Sequence, residues 1–122
     1  MRILIAARSR GVAAIDGPYL KVRDLEGLRR SAASSAALGF DGKWALHPSQ
    51  VEPVNQAFAP SEADYSRAAA IIEAYDHATT VDQRGAAMLG DEMIDEASRK
   101  MAEVIVARGN AVAHAKIGKA PE

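Results

Sequence analysis

Gly11-Val-Ala-Ala-Ile-Asp-Gly-Pro18 is a run of four apolar residues closed by glycine on one side and by an Asp-Gly-Pro turn on the other. A continuous apolar run without alternation reads as a parallel strand covered on both faces. Working outward, Asp24 is placed to cap a helix that runs to Leu38, with Gly39 as its stop. Leu25, Leu28, Ala32, Ala36 and Leu38 supply the apolar stripe of that helix. Gly42-Lys-Trp-Ala-Leu-His-Pro48 then reads as a second buried strand that Pro48 ends. Strand, helix and strand with short joints form a βαβ unit, so Val12–Ile15 and Lys43–Leu46 are expected to pair in parallel. The fold class is α/β.

On either side of this unit the reading is less uniform. Met1–Arg8 fits a buried strand, and it equally fits one face of a helix (Ile3, Ala6, Ala7) that ends at Arg10-Gly11. Ser49 to Phe58 reads as a short helix interrupted at Pro53. Ser61, with Asp64 three residues on, makes a near capping box for a helix carrying Tyr65, Ala68, Ala69, Ile72 and Tyr75 at helical spacing. Thr79 to Gly90 is expected to be a connector with a small apolar run, Ala86–Leu89. Asp95 opens a last helix with the stripe Ala97, Met101, Val104 and Ile105 and a stop at Gly109, and the tail after Ala115 should fray.

Composition excludes several functions. At 122 residues, with 48% hydrophobic and 25% charged residues, the chain has the size and balance of an ordinary globular domain. Its 15 basic and 16 acidic residues leave a formal charge of −1, which gives no electrostatic footprint for nucleic acid or an anionic membrane. The absence of cysteine removes disulfides, thiolate metal sites and thiol nucleophiles. No apolar run reaches membrane length and no signal-peptide core is present, so a cytoplasmic location is expected.

Three stretches carry more specific information. They are Ala14-Ile-Asp-Gly-Pro-Tyr19, Gly39-Phe-Asp-Gly-Lys-Trp-Ala-Leu-His-Pro-Ser-Gln50 and Gly90-Asp-Glu-Met-Ile-Asp-Glu-Ala97. In this order and spacing they resemble the C-terminal part of the HpcH/HpaI aldolase and citrate lyase family. Its members include citrate lyase β subunits, malyl-CoA lyases and citramalyl-CoA lyases. The resemblance spans Arg2 to about Ala107. It implies the end of a (β/α)₈ TIM barrel: residues 1–58 as the last βα units and residues 59–122 as a C-terminal helical extension. Arg2–Arg10 would end the helix after strand six, with strands seven and eight at Val12–Asp16 and Lys43–His47. A full barrel takes about 250 residues, so strands one to six would lie outside this chain. Met1 falling inside a helix without an N-cap agrees with that expectation.

The resemblance also implies a chemistry. The family cleaves a 3-hydroxyacyl-CoA into a 2-oxo acid and an acyl-CoA, using Mg²⁺ held by a glutamate and an aspartate on central strands. Those ligands belong to the part outside this chain, so no metal ligand is assigned to it. Read plainly, Asp16-Gly17-Pro18 is a turn, His47-Pro48 ends a strand, Asp95 caps a helix, and Asp91, Glu92 and Glu96 complete a solvated acidic turn. The resemblance implies that Asp16, Gly17, Pro18, His47 and Pro48 border the acyl-CoA, with Lys43 and Trp44 as barrel packing and rim. It implies that Asp95 acts as general acid/base in a neighbouring subunit's site. The implied partners are copies of the chain, as a trimer or hexamer, or a chain carrying the rest of the barrel. The chain alone would then be inactive. Two alternatives stand beside this: a non-catalytic remnant or assembly partner, and a three-stranded α/β binding module with Met1–Ala7 as its first strand. No Gly-rich phosphate loop supports the latter.

Overall fold

Strands β1 (Ile15–Asp16) and β2 (Gly42–Lys43) pair in parallel, Ile15 with Gly42 and Asp16 with Lys43, in a computed structural model that describes residues 1–81 and 85–117. The joining helix α2 (Leu25–Leu38) begins and ends as the capping residues require. The Asp24 carboxylate accepts from the Gly27 N–H at 2.9 Å, and Gly39 closes the helix in the left-handed region at φ 97°.

Both strands are shorter than expected, and side chains are the reason. The Ala14 N–H goes to the Asp41 carboxylate at 2.8 Å rather than to a strand carbonyl, so the ladder starts late. The Leu46 N–H goes to the Gln50 side chain at 2.8 Å, so it ends early. Two further ladder bonds, Asp41 N–H to Ala14 O and Trp44 N–H to Asp16 O, flank the register.

Residues 2–9 settle as helix α1 (Arg2–Ser9), closed at Gly11 with φ 65°, and the first-strand reading of Met1–Ala7 is thereby overturned. Leu4 is the residue α1 buries, while Ile3 stays exposed. A 3₁₀ turn (Pro48–Gln50) leads into α3 (Val51–Phe58) without interruption at Pro53. Pro53 sits in the first helical turn, where a missing N–H costs little. Leu28 and Ala32 of α2 pack with Val54 of α3, Leu4 and Ala14 as the core of this unit, Met1–Phe58. The strands are not buried on both faces: Ile15 is 50% and Trp44 63% exposed, with Val12 and Leu46 exposed beside them.

The second unit, Ala59–Glu122, holds α4 (Glu62–Thr80), a hairpin of β3 (Ala87–Leu89) and β4 (Glu92–Ile94), and α5 (Glu96–Ile117). Ser61 caps α4 by accepting from the Asp64 N–H at 3.0 Å, and its hydroxyl donates back to the Asp64 carboxylate at 2.6 Å. The expected connector is partly structured. Helix α4 extends to Thr80, Ala87–Leu89 becomes an antiparallel strand, and residues 82–84 lie outside the described residues. Gly90, at φ 60°, makes the tight hairpin turn. The acidic residues are thus spread over the hairpin and the start of α5, with Glu92 paired to Arg67 and Glu96 to Lys100.

Helix α5 departs most from expectation. It runs through Gly109 to Ile117, and it buries Ala102 while Met101 and Val104 face solvent. The fraying expected after Ala115 does not begin there, since the helix continues through Ile117, and residues 118–122 lie outside the described residues. Gly109 is a packing position: a Cβ there would run into the Tyr65 ring, whose hydroxyl donates to Asn110 Oδ1 at 2.9 Å. Gly109→Ala therefore sets helix propensity, which favours alanine by about 1 kcal/mol, against overpacking, which costs about 1–3 kcal/mol. The expected result in urea unfolding is a net loss of stability; a gain would mean that the Tyr65 contact contributes nothing.

Candidate functional site

The end of β1 carries a polar group held by several protein partners. The Lys43 side chain, only 4% exposed, reaches across from β2 and donates to Asp16 Oδ2 at 2.7 Å and to the Gly17 carbonyl at 2.8 Å. The Ser35 hydroxyl of α2 donates to the same Asp16 oxygen. Lys43 first, and then Ser35, hold the Asp16 carboxyl below the usual carboxylate range. Asp16 is therefore an anion already committed to protein partners. Beyond it, a Cβ at Gly17 would meet nothing within 4 Å, so the backbone there faces open space.

The loop continues to Tyr19, whose hydroxyl donates to Asp24 Oδ2 at 2.7 Å and whose carbonyl accepts from Gln50 Nε2 at 3.0 Å. Asp24 is held below its ordinary range, by the Tyr19 hydroxyl first and the Gly27 N–H second. Across from this loop lies the end of the second strand. His47 caps the 3₁₀ turn: its Nδ1 accepts from the Ser49 N–H at 3.1 Å and lies 2.8 Å from the Ser49 hydroxyl. A neutral His47 thus carries its proton on Nε2. Asp16 ends β1, Gly17 and Pro18 follow it in the loop, and Gln50 ties that loop, through the Tyr19 carbonyl, to the chain just before His47 and Pro48.

Asp95 belongs to the second unit, between β4 and α5. Its Oδ1 accepts from the Ser98 N–H at 2.8 Å and the Ser98 hydroxyl at 2.9 Å. These bonds, the backbone one first, pull the exposed Asp95 carboxyl below the usual range. It is a carboxylate at neutral pH, able to accept a proton rather than to give one. A shallow groove of about 420 Å³ lies elsewhere in this unit, lined by Ala74, Ala78, Met88 and Met93 with His77 at its edge. Among the described residues it gathers no converging polar groups.

Among the described residues no three His, Asp or Glu side chains converge as a metal would need. Lys43, expected as barrel packing and rim, and Ser35 and Gln50, not singled out in the sequence, are the groups that shape the site. The legible signal was a lysine inside an apolar strand, which needs an acidic partner within reach. Nothing comparable marked Gln50.

Residues 7–115 match the model of a family described as C–C bond lyase of the TIM-barrel fold, and the chain belongs to that family. It is 43% identical over 104 residues to an L-malyl-CoA/β-methylmalyl-CoA lyase of Cereibacter sphaeroides, covering 85% of this chain and 32% of that protein. It is 36% identical over 110 residues to a (3S)-malyl-CoA thioesterase of the same species, covering 90% of this chain and 38% of the other. Among solved structures, it superposes with TM-score 0.70 on CitE of Mycobacterium tuberculosis, determined with magnesium, acetoacetate and coenzyme A. That pair is 33% identical over 88% of this chain and 39% of the other. A citrate lyase of Burkholderia xenovorans LB400 gives TM-score 0.68 at 25% identity, over 89% of this chain and 33% of that one. The chain thus spans about a third of the length of the relatives it matches. No helix among its described residues is long and apolar enough to cross a membrane.

Two consequences of the Asp16 network can be measured. Because the folded carboxyl is depressed, it contributes stability that is present above its unfolded pKa, about 4. That contribution is lost as the pH falls through the lower folded value. Lys43→Met removes the main cause of the depression and leaves Asp16, 31% exposed, with the Ser35 hydroxyl and the Gly17 backbone. It should cost about 1–2 kcal/mol at pH 7, less than a fully buried pair would. Urea midpoints at pH 7 and pH 3 should converge for Lys43→Met and wild type; an unchanged gap would show that the pair is not coupled.

Proposed function

We propose that this chain is the carboxyl-terminal portion of a Mg²⁺-dependent carbon–carbon lyase acting on a 3-hydroxyacyl-CoA of the malyl-, citramalyl- or citryl-CoA type. The products would be a 2-oxo acid and a shorter acyl-CoA. The observation that carries the reading is the 43% identity to a malyl-CoA lyase over 104 residues, a span too long to leave out either His47 or Asp95. The thioesterase relative shares the malyl-CoA substrate by name but is less similar, at 36%. The exposed Val12, Ile15, Trp44 and Leu46 support the same reading. A two-stranded parallel sheet with apolar faces and free edges is what the end of a closed barrel presents without its other strands.

Cleavage breaks the bond between C2 and C3 of the acyl chain. The 3-hydroxyl gives up its proton and becomes the oxo group, while C2 is left as an enolate that must take up a proton. Magnesium would be held by residues outside this chain. The open backbone at Gly17 and the loop of His47 and Pro48 would border the acyl-CoA thioester. Asp95, ionised and exposed, would act on a neighbouring copy in a trimer or hexamer. There it would accept the hydroxyl proton, or return one to C2 once the substrate shields it from water and raises its pKa.

The test is complementation. The purified chain alone should show no Mg²⁺-dependent turnover of malyl-CoA or citramalyl-CoA. Co-expressed with the preceding two-thirds of the Cereibacter lyase, it should release glyoxylate or pyruvate together with an acyl-CoA. Turnover by the isolated chain would overturn the need for a completed barrel, and an intact but inactive complex would favour the non-catalytic reading. In the active complex Asp95→Asn should lower turnover about 10²–10⁴-fold while leaving the α5 cap in place, since asparagine caps as well as aspartate. Asp95→Ala should lose stability as well. A near-normal rate for Asp95→Asn would leave the residue with its capping role alone.

A further inference from the structure

Gln50 is fully buried, and both ends of its carboxamide are in use. Oε1 accepts from the Leu46 N–H at 2.8 Å, and Nε2 donates to the Tyr19 carbonyl at 3.0 Å. Leu46 immediately precedes His47-Pro48, and Tyr19 immediately follows Gly17-Pro18. One planar group therefore spans the two loops proposed to border the acyl-CoA. We infer that Gln50 is a positioning residue, setting the spacing between the loop after β1 and the loop after β2, and with it the width of the acyl-CoA cleft. This rests on the function proposed above.

The chemistry of the position is restrictive. It needs a donor and an acceptor on opposite sides of a buried planar group. An ionised glutamate lacks the donor, a lysine lacks the acceptor, and methionine offers neither. The 3₁₀ turn that begins at Pro48 carries the side chain back beneath the strand end, so the turn and the contact are one device. The rest of the loop after β1 is already anchored, by Lys43 at the Gly17 carbonyl and by Asp24 at the Tyr19 hydroxyl. What remains open is the outer face: space over Gly17, and an exposed His47. Such a division, tied behind and open in front, is what a preformed binding rim requires.

The test uses ¹⁵N-labelled full chain, with acetyl-CoA as the probe. Gln50→Met should shift the Leu46 amide proton upfield and speed its hydrogen exchange about tenfold or more, while Leu28 in α2 changes little. Val54→Ala, a buried change in α3 that leaves the Gln50 carboxamide in place, serves as the control for general loosening. Acetyl-CoA should perturb the Gly17, Tyr19 and His47 amides in wild type and in Val54→Ala. In Gln50→Met its apparent affinity should fall about tenfold. Equal affinity in Gln50→Met and wild type, or an equal loss in Val54→Ala, overturns the positioning role. If acetyl-CoA perturbs none of these amides in wild type, the acyl-CoA assignment of the rim fails. The exchange comparison then still decides whether Gln50 sets the loop spacing.

Discussion

A lysine ammonium almost sealed from water has to be paired, and in the first unit that requirement organises everything around it. Lys43 satisfies it with the Asp16 carboxylate and the Gly17 carbonyl, one residue from each side of the end of β1. The same contact locks β2 beside β1 in one register, because a slip of one residue would send Lys43 to the opposite face. Ser35 joins from α2, so strand, helix and strand meet at a single carboxylate. An exposed pair in this place would contribute little; here the near-complete burial of one partner gives it its directing force.

Around that point the backbone is held mostly by side chains rather than by sheet. Asp41 serves the entrance to β1 as Lys43 serves its exit. Its Oδ2 accepts from the Ala14 N–H, and Arg8 donates to its Oδ1 at 2.9 Å and to the Gly39 carbonyl at 2.6 Å. Helix α1, the stop of α2 and the start of both strands are thereby joined through one acid and one arginine. Gln50 does the same at the far end of the strands. With two residues in each strand, such side-chain bonds carry the alignment that a wider sheet would obtain from its ladder.

The two groups of candidate residues are built on different physical terms. The loops at Gly17 and His47 are pinned from behind by buried or half-buried groups, which leaves their outer faces open without leaving them loose. Asp95 is exposed, fixed through one oxygen by Ser98, and its carboxylate is stabilised as an anion. Capping uses Oδ1, so the cap itself does not occupy Oδ2. A capping role and a proton-transfer role are compatible at one residue for that reason.

Local signals in the sequence were legible where their range is short. Asp24, Gly39, Ser61 and Gly11 each act within one helical turn on backbone groups that have no other partner, and the structure places a helix boundary at each. The parallel order of the two strands was legible as well, because a helix between them leaves no other pairing of comparable length. Gly109 misled, since a glycine that stops a helix and a glycine that admits an aromatic ring look alike until Tyr65 is in place. The buried face of α5 was misjudged for a related reason: with so many alanines and valines several stripes have similar hydropathy, and only packing chooses Ala102 over Met101. Strand lengths, the identity of the partner of Lys43 and the role of Gln50 were decided by tertiary structure alone. They depend on which buried polar group finds a partner 27 or 31 residues away, and no local preference of the chain encodes that distance.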